Sequence, residues 1–171
     1  MKGRSIWLAC LSVFLAMTVL LFGMGHSQAA DGNRKTIAVV FDRNIPADLE
    51  PGPAQSQNEI SEFMEKQLVK LLNKKYKAEL VSSEGDYQSG SYDHLLKVKV
   101  VKYQRGSSAA RMLVGFGAGA AYLDIHYELI GRDGQILIAK DDGVSTSQHW
   151  SRIPKKLNKN IYKDVMSAVK P

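Results

Sequence analysis

The stretch LDIHYELIGRDGQILIAK, residues 123–140, decides the fold because its two halves flank a turn and its first half alternates strictly between apolar and polar residues. The turn is Gly-Arg-Asp-Gly, and the Asp-Gly pair suits a tight hairpin because glycine can adopt the positive φ that such turns require. One face of the first half is apolar, with Leu123, Ile125, Tyr127 and Leu129. The other face carries Asp124, His126 and Glu128. This pattern predicts a half-buried strand with an antiparallel partner at residues 135–140.

Three further strands are predicted upstream of this hairpin. Residues 94–104, HLLKVKVVKYQ, alternate in the same way, with Lys97 and Lys99 on the polar face. Residues 36–41, TIAVVF, form a short β-branched run that predicts a buried strand. Residues 78–81 indicate one more strand, and the polar residues 82–91 are expected to form a loop.

Two helices complete the predicted fold. Residues 42–53 contain three prolines and a glycine and predict a loop, after which Ser56 and Glu59 suit a capping box. Apolar residues then recur at helical spacing, which predicts a helix over residues 57–75. Residues 151–169 predict a second helix with lysines on one side. The expected fold is one α+β domain, residues 30–171, in which both helices pack on a mainly antiparallel sheet.

The N-terminus has the three parts of a secretory signal. Residues 1–5 carry two basic side chains and precede the apolar residues 6–22, and small residues then suit cleavage after Ala29. A periplasmic protein is therefore expected, with retention in the inner membrane through residues 6–25 as the alternative. Cleavage removes Cys10, the only cysteine, which excludes a disulfide, a thiol nucleophile and a cysteine metal site. After cleavage 21 basic and 17 acidic residues remain, a net charge of +4, which is mild and argues for neither anionic lipid nor nucleic acid. Nucleic acid is therefore not an expected partner.

A glycine-rich segment, RMLVGFGAGAAY at residues 111–122, precedes the hairpin. Its glycines formally match the relaxed dinucleotide fingerprint, but that fingerprint needs a helix after it, and a strand follows here. We therefore expect no nucleotide and no cofactor. Residues 112–123 carry no charge but are too few to span a bilayer as a helix. They could instead enter lipid as a loop or as one hairpin of an oligomeric pore.

The same segment also continues the strand pattern backward. Its small residues then share the apolar face of Leu123 and Ile125, namely Gly115, Gly117, Gly119 and Ala121. A strand face lined with glycine lets a helix or a second backbone approach closely. Close packing and a contact surface are therefore both open as roles for the segment.

Three pieces of the sequence carry a family resemblance: YDHLL at residues 92–96, RMLVGFGAGA at residues 111–120, and the strand that ends in the Gly-Arg-Asp-Gly turn. Together they resemble the bacterial exported family catalogued as domain of unknown function 4410. Many members look like lipoproteins, whereas Cys10 lies inside the apolar stretch and offers no lipidation site. The layout is also similar to periplasmic α/β domains of the curli-secretion-channel and TolB amino-terminal type. The resemblance implies assembly or partner binding at the cell envelope.

Asp124, His126 and Glu128 are the candidate residues for chemistry, because an imidazole between two carboxylates can bind a metal or transfer protons. Neighbours on one strand face stand about 7 Å apart, so one strand cannot close a metal site. The alternative is a solvated face that pairs with Lys97 and Lys99. No catalytic residue or metal ligand is assigned.

The sequence therefore predicts a non-catalytic binding or assembly module of the envelope. Its partner is expected to be another envelope protein or a second copy of the chain, with contact to a membrane surface as an addition. The contact or close-packing residues are Arg111, Gly115, Phe116, Gly117, Gly119 and Ala121. One alternative is a membrane-inserting oligomer that uses the same segment. A further alternative is a hydrolase or metal-binding module that uses Asp124, His126 and Glu128.

Overall fold

Strands and helices follow the apolar pattern along most of the chain. The computed structural model describes residues 34–43, 51–89, 92–106 and 119–170. The signal segment with Ala29 lies outside the described residues, and so do residues 107–118. In chain order the elements are β1 (Thr36–Asp42), α1 (Pro51–Leu72), β2 (Lys77–Leu80), α2 (Glu84–Ser89), β3 (His94–Gln104), β4 (Ala121–Gly131), β5 (Ile136–Thr146) and α3 (Arg152–Ala168).

The five strands form one mixed sheet in the order β2-β1-β3-β4-β5. β1 is parallel to both β2 and β3, whereas β3, β4 and β5 are antiparallel neighbours. The prediction of a mainly antiparallel sheet is therefore wrong. The physical reason is that α1 follows β1 and α2 follows β2, and a helical crossover returns the chain to the end of the sheet where the preceding strand began.

Helices cover the sheet on both faces. The main core lies between the sheet and the helices α1 and α3, and it includes the alternate β4 residues Leu123, Ile125, Tyr127 and Leu129. The face predicted for these four residues is confirmed. A smaller apolar cluster lies on the opposite face, where Ala38, Val40 and Leu95 pack against Tyr87 of α2. β1 is therefore buried on both faces, which explains why its sequence is continuously apolar.

Two predicted loops are partly helical. α1 begins at Pro51, so the predicted loop over residues 42–53 is too long and the predicted capping box lies inside the helix. Proline is tolerated in the first helical turn because the amides there have no intrahelical partner. Residues 84–89, predicted as part of a loop, form α2, and the Asp86 carboxylate accepts hydrogen bonds from the amides of Ser82 and Ser83, both at 3.1 Å.

The predicted hairpin of β4 and β5 is confirmed, and Gly134 has the positive φ of 80° that its turn requires. β5 continues to Thr146 instead of ending near Lys140. Asp141 and Asp142 do not end the strand because each finds a partner there. His126 contacts Asp141 at 2.8 Å, and the Asn160 amide donates to Asp142 at 2.8 Å.

Residues Arg34–Pro171 form one compact unit. Within the part of this unit that the structure describes, no helix is both long enough and apolar enough to traverse a bilayer.

Candidate functional site

One end of the sheet gathers most of the features that can form a site. β1 and β3 are parallel and finish at this end, and β4 begins there because it is antiparallel to β3. β5 finishes there as well, since it is antiparallel to β4. We call this the carboxyl end of the sheet. Gly106 and Gly119, the described residues on either side of residues 107–118, both lie at this end.

Gly106 and Gly119, the described residues on either side of residues 107–118, form a tight neck. Gln104 and Tyr122 are partners in the β3–β4 ladder, and the two glycines just beyond them have φ angles of 81° and 68°. A Cβ atom on Gly106 would lie 2.6 Å from the Gly119 carbonyl oxygen and 2.8 Å from the Ala121 nitrogen. Only glycine fits this close approach of two backbones.

The structure describes two of the predicted contact residues. Ala121 is buried and faces the main core, and Gly119 belongs to the neck. The other predicted contact residues, Arg111, Gly115, Phe116 and Gly117, lie outside the described residues. Gly106 was not predicted as part of the site, because a glycine in a short polar turn gives no hint of which backbone will approach it.

An aromatic pair lies at the carboxyl end between the two large helices. Trp150, just before α3, meets Phe63 of α1 edge to face, with ring centroids 5.6 Å apart. The Arg105 guanidinium lies 5.9 Å from the centre of the Trp150 ring, and Arg105 also reaches Glu59 at 4.0 Å. Arg105 is the last residue before the neck, so these contacts connect the β3 side of the neck to the helices.

A crevice opens at the ends of β1 and β2. α1, which follows β1, packs on one face of the sheet, and α2, which follows β2, packs on the other face. In α/β sheets a concave site forms between two neighbouring strands whose connections go to opposite faces. The resulting cavity of about 740 Å³ is lined by Val40, Phe41, Asp42, Arg43, Glu65, Leu80, Val81, Ser82, Ser83, Glu84 and Lys97.

The charges of the crevice are paired with one another or with neighbours. Arg43 donates to both oxygens of the buried Glu65 carboxylate, at 2.7 Å each. Lys97 contacts Glu84 at 2.8 Å and Glu128 at 3.6 Å, and the hydrogen bond to Glu84 raises the lysine pKa. Asp42 contacts Lys99 at 3.4 Å. The crevice therefore offers polar groups for hydrogen bonding without an uncompensated charge.

In the structure His126 and Glu128 of the predicted polar cluster lie together, and Asp141 of β5 takes the place predicted for Asp124. His126 meets Asp141 of β5 at 2.8 Å and Glu128 at 3.5 Å, while Asp124 lies farther along the strand opposite Gly143. The hydrogen bond to Asp141 is the main cause of a raised pKa of His126. Among the described residues no group of three or more His, Cys, Asp or Glu side chains is arranged to hold a metal ion. The β3 ladder places Lys97 opposite Glu128 and Lys99 opposite His126, as the solvated-face alternative expects.

A second cavity, of about 450 Å³, lies at the opposite end of the sheet beside His94. The His94 Nδ1 atom is buried and has no hydrogen-bond partner among the described residues, and burial lowers the histidine pKa. The neighbouring Asp93 carboxylate accepts hydrogen bonds from the Thr36 amide at 2.9 Å and hydroxyl at 3.0 Å. These bonds lower the pKa of Asp93 and fix the start of β1 against β3.

A comparison with protein families identifies the chain. The family described as domain of unknown function DUF4410 matches residues 35–165, a range that contains all five strands. The protein belongs to the DUF4410 family. The resemblance read from the glycine-rich segment and the hairpin is therefore confirmed. No curated protein matches the sequence of this DUF4410 chain.

Solved structures resemble this DUF4410 domain at low identity. A dodecamer of a PelC variant from Paraburkholderia phytofirmans matches with a TM-score of 0.48 and 13% identity, over 79% of this chain and 88% of that chain. The hypothetical protein CT253 from Chlamydia trachomatis matches with a TM-score of 0.41 and 11% identity, over 78% of this chain and 94% of that chain.

Proposed function

We propose that this DUF4410 protein is a non-catalytic binding or assembly module whose contact surface is the glycine-rich segment, residues 111–121. The observation that supports the proposal is the neck of Gly106 and Gly119, which brings together the two described residues on either side of residues 107–118 at the carboxyl end of the sheet. Because Gly106 and Gly119 already lie close together, the residues between them lose less conformational entropy on binding.

The composition of the segment favours a protein partner. Residues 111–121, RMLVGFGAGAA, carry a single charge at Arg111 and one large aromatic at Phe116. Aromatic residues and arginine are the side chains that most often dominate binding at protein interfaces. We therefore propose Phe116 as the apolar anchor and Arg111 as the polar contact, with a second copy or another envelope protein as the partner.

The proposed location is the periplasm. The support is the order of a basic, an apolar and a small-residue part within residues 1–29. After export the segment is either cleaved after Ala29 or retained in the inner membrane through residues 6–25. Sequencing the N-terminus of the protein purified from a bacterium that expresses the full chain distinguishes them. A protein that keeps Met1 and remains in the cytoplasmic fraction would contradict export.

The contact surface is tested by placing a photo-crosslinking residue at position 116 in the full chain within cells. The matched control is position 166, an exposed apolar side chain on α3. We expect a discrete crosslinked species from position 116, either a dimer of the chain or a complex with one other protein, and none from position 166. Light scattering with and without mild detergent then measures whether the chain associates with itself.

A second variant separates a contact role from a packing role. Phe116→Glu is expected to abolish the crosslinked species or the oligomer while the free energy of unfolding stays that of the Met166→Glu control. If Phe116→Glu instead unfolds the protein, the side chain belongs to the core and the contact proposal fails. If position 116 crosslinks to nothing and the chain is a monomer with and without detergent, the proposal fails as well.

A further inference from the structure

The outer face of α3 is strongly basic. Its apolar residues Ile153, Leu157, Ile161 and Val165 are buried in the main core. The positions on the opposite side recur every three or four residues, so they share one outward face. They are exposed and cationic: Arg152, Lys155, Lys156, Lys159 and Lys163.

α1 extends this basic face because the two helices lie side by side and run in the same direction. The Asn158 amide in the first half of α3 donates to the Met64 carbonyl of α1 at 3.1 Å. The Tyr76 hydroxyl after α1 donates to the Val169 carbonyl after α3 at 2.8 Å, so the two helices are parallel. Exposed lysines occupy the second half of α1 and the turn after it, namely Lys66, Lys70, Lys74 and Lys75. We call these residues, the five cations of α3 and Lys170 the basic helical layer.

The cations of this layer differ from most lysines of the sheet, which contact carboxylates, whereas Lys102 lies over the Tyr122 ring. Lys97, Lys99 and Lys140 of the sheet each contact a carboxylate within 3.6 Å. Within the described ranges, no cation of the basic helical layer forms a salt bridge with another residue. The exposed acids on these helices are Glu59 and Glu62, near the start of α1. Much of the positive charge that the described residues leave unpaired is thus concentrated on the helices α1 and α3.

We propose that the basic helical layer binds the anionic surface of a lipid bilayer. Two helices side by side on a sheet present a broad face, and lysines can reach a headgroup layer while their alkyl stems cover the helix. Anionic lipid attracts each such lysine by about 1 kcal/mol. Single-stranded nucleic acid needs aromatic side chains for stacking. The aromatic residue of α3, Tyr162, is half-buried against the core. The layer shares no residue with the glycine-rich segment, so this proposal does not depend on the proposed function.

Residue-resolved lysine acetylation tests the proposal on the full chain. The chain is mixed with vesicles of phosphatidylcholine alone, or of equal parts phosphatidylcholine and phosphatidylglycerol, and labelled lysines are identified by mass spectrometry. Neutral vesicles control for insertion of the apolar residues 6–22. We expect the anionic vesicles to protect Lys156, Lys159 and Lys163, with Lys77 and Lys102 of the sheet unprotected. High salt should remove the protection, because the charges are exposed to screening.

Two triple variants of equal charge make the test specific. Changing Lys156, Lys159 and Lys163 together to Gln should weaken the component of vesicle binding that depends on phosphatidylglycerol on the order of a hundredfold, from the attraction per lysine. The control changes Lys77, Lys99 and Lys102 to Gln and should leave that component within about twofold, since these side chains lie on the sheet. Equal losses in both variants, equal labelling on both vesicles, or tighter binding to a DNA duplex at equal phosphate concentration would overturn the proposal.

Discussion

At the scale of single residues, His126 is the most informative side chain on the sheet face opposite the main core. Its two ring nitrogens face carboxylates on different strands, Asp141 on β5 and Glu128 on its own β4. Both carboxylates favour the protonated ring, so the folded state raises the pKa of His126. The same contacts that form a candidate site therefore also connect two strands in a pH-dependent way.

The sign of that dependence follows from the raised pKa. The stabilising contribution of His126 is fully present below its ordinary pKa of about 6.5 and fades as pH rises through the higher folded value. We expect wild type to exceed His126→Gln in free energy of unfolding by more at pH 5.5 than at pH 9. The difference should stay below about 1 kcal/mol because the pair is exposed to solvent. Urea denaturation at both pH values measures it.

The Asp141→Asn background is the control for this prediction. There the main partner of His126 is neutral, and the pH dependence of the difference should shrink. An equal difference at both pH values in the original background would show that the contact with Asp141 does not persist in solution.

Which residues meet on this face could be predicted only in part. The alternation of β4 places His126 and Glu128 together, but the partner on β5 depends on the register. That register shifts between Leu129 and Ile130 in the finished hairpin. A one-residue shift moves a side chain to the other face of a sheet, so the sequence alone did not identify Asp141 as the main partner.

At the scale of elements, the neck between β3 and β4 depends on glycine for two separate reasons. Gly106 has a positive φ, and its α-carbon also lies against the backbone of Gly119 and Ala121. Gly134 in the β4–β5 turn has nearly the same φ, but no heavy atom of the described residues lies within 4 Å of the point where a Cβ atom would stand. A comparison of Gly106 with Gly134 therefore distinguishes the energetic cost of the positive φ from the cost of the close backbone contact.

We expect Gly134→Ala to lower the free energy of unfolding by about 1 kcal/mol, the cost of a left-handed conformation for an L-residue. Gly106→Ala should lower it by at least about 2 kcal/mol, because a clash with backbone adds to that cost. Chemical denaturation of both variants measures the difference. Equal losses would mean that the neck opens readily to admit a methyl group.

Element boundaries show where periodicity is sufficient as a guide. β3, β4 and α3 have one buried and one exposed side, and their positions were predicted closely from this pattern. The start of α1 and the end of β5 were missed. Prolines usually interrupt a helix, but the first turn of α1 tolerates them. Two consecutive aspartates are unfavourable in a strand, but tertiary contacts keep them within β5.

At the scale of the whole molecule, the sheet and its two large helices share one continuous core. The core runs from Ile37 of β1 to Val169 after α3. Trp150 and Phe63 join the helices at one end, and Tyr76 and Val169 join them at the other. The parallel pairing that unites β1 with this core was not predicted because each strand pattern is compatible with either direction.

We expect one cooperative unfolding transition for the region from residue 34 onward. The change in tryptophan fluorescence that comes from Trp150 beside α1 and the far-ultraviolet circular dichroism should give the same urea midpoint. The Trp150→Phe variant is the control for the origin of the fluorescence change. Separate midpoints would show that the β3–β4–β5 meander unfolds independently of the helices and β1.

The parallel pairing of β1 also sets an order of events during synthesis. β1 leaves the ribosome before every other strand, yet its ladder with β3 pairs residues 37–42 with residues 94–99. Closing so long a loop is slow compared with forming the β3–β4–β5 hairpins, whose partners are closer in sequence. We therefore expect the first strand to be made to be among the last to join the sheet, because its β3 partner is so distant in sequence.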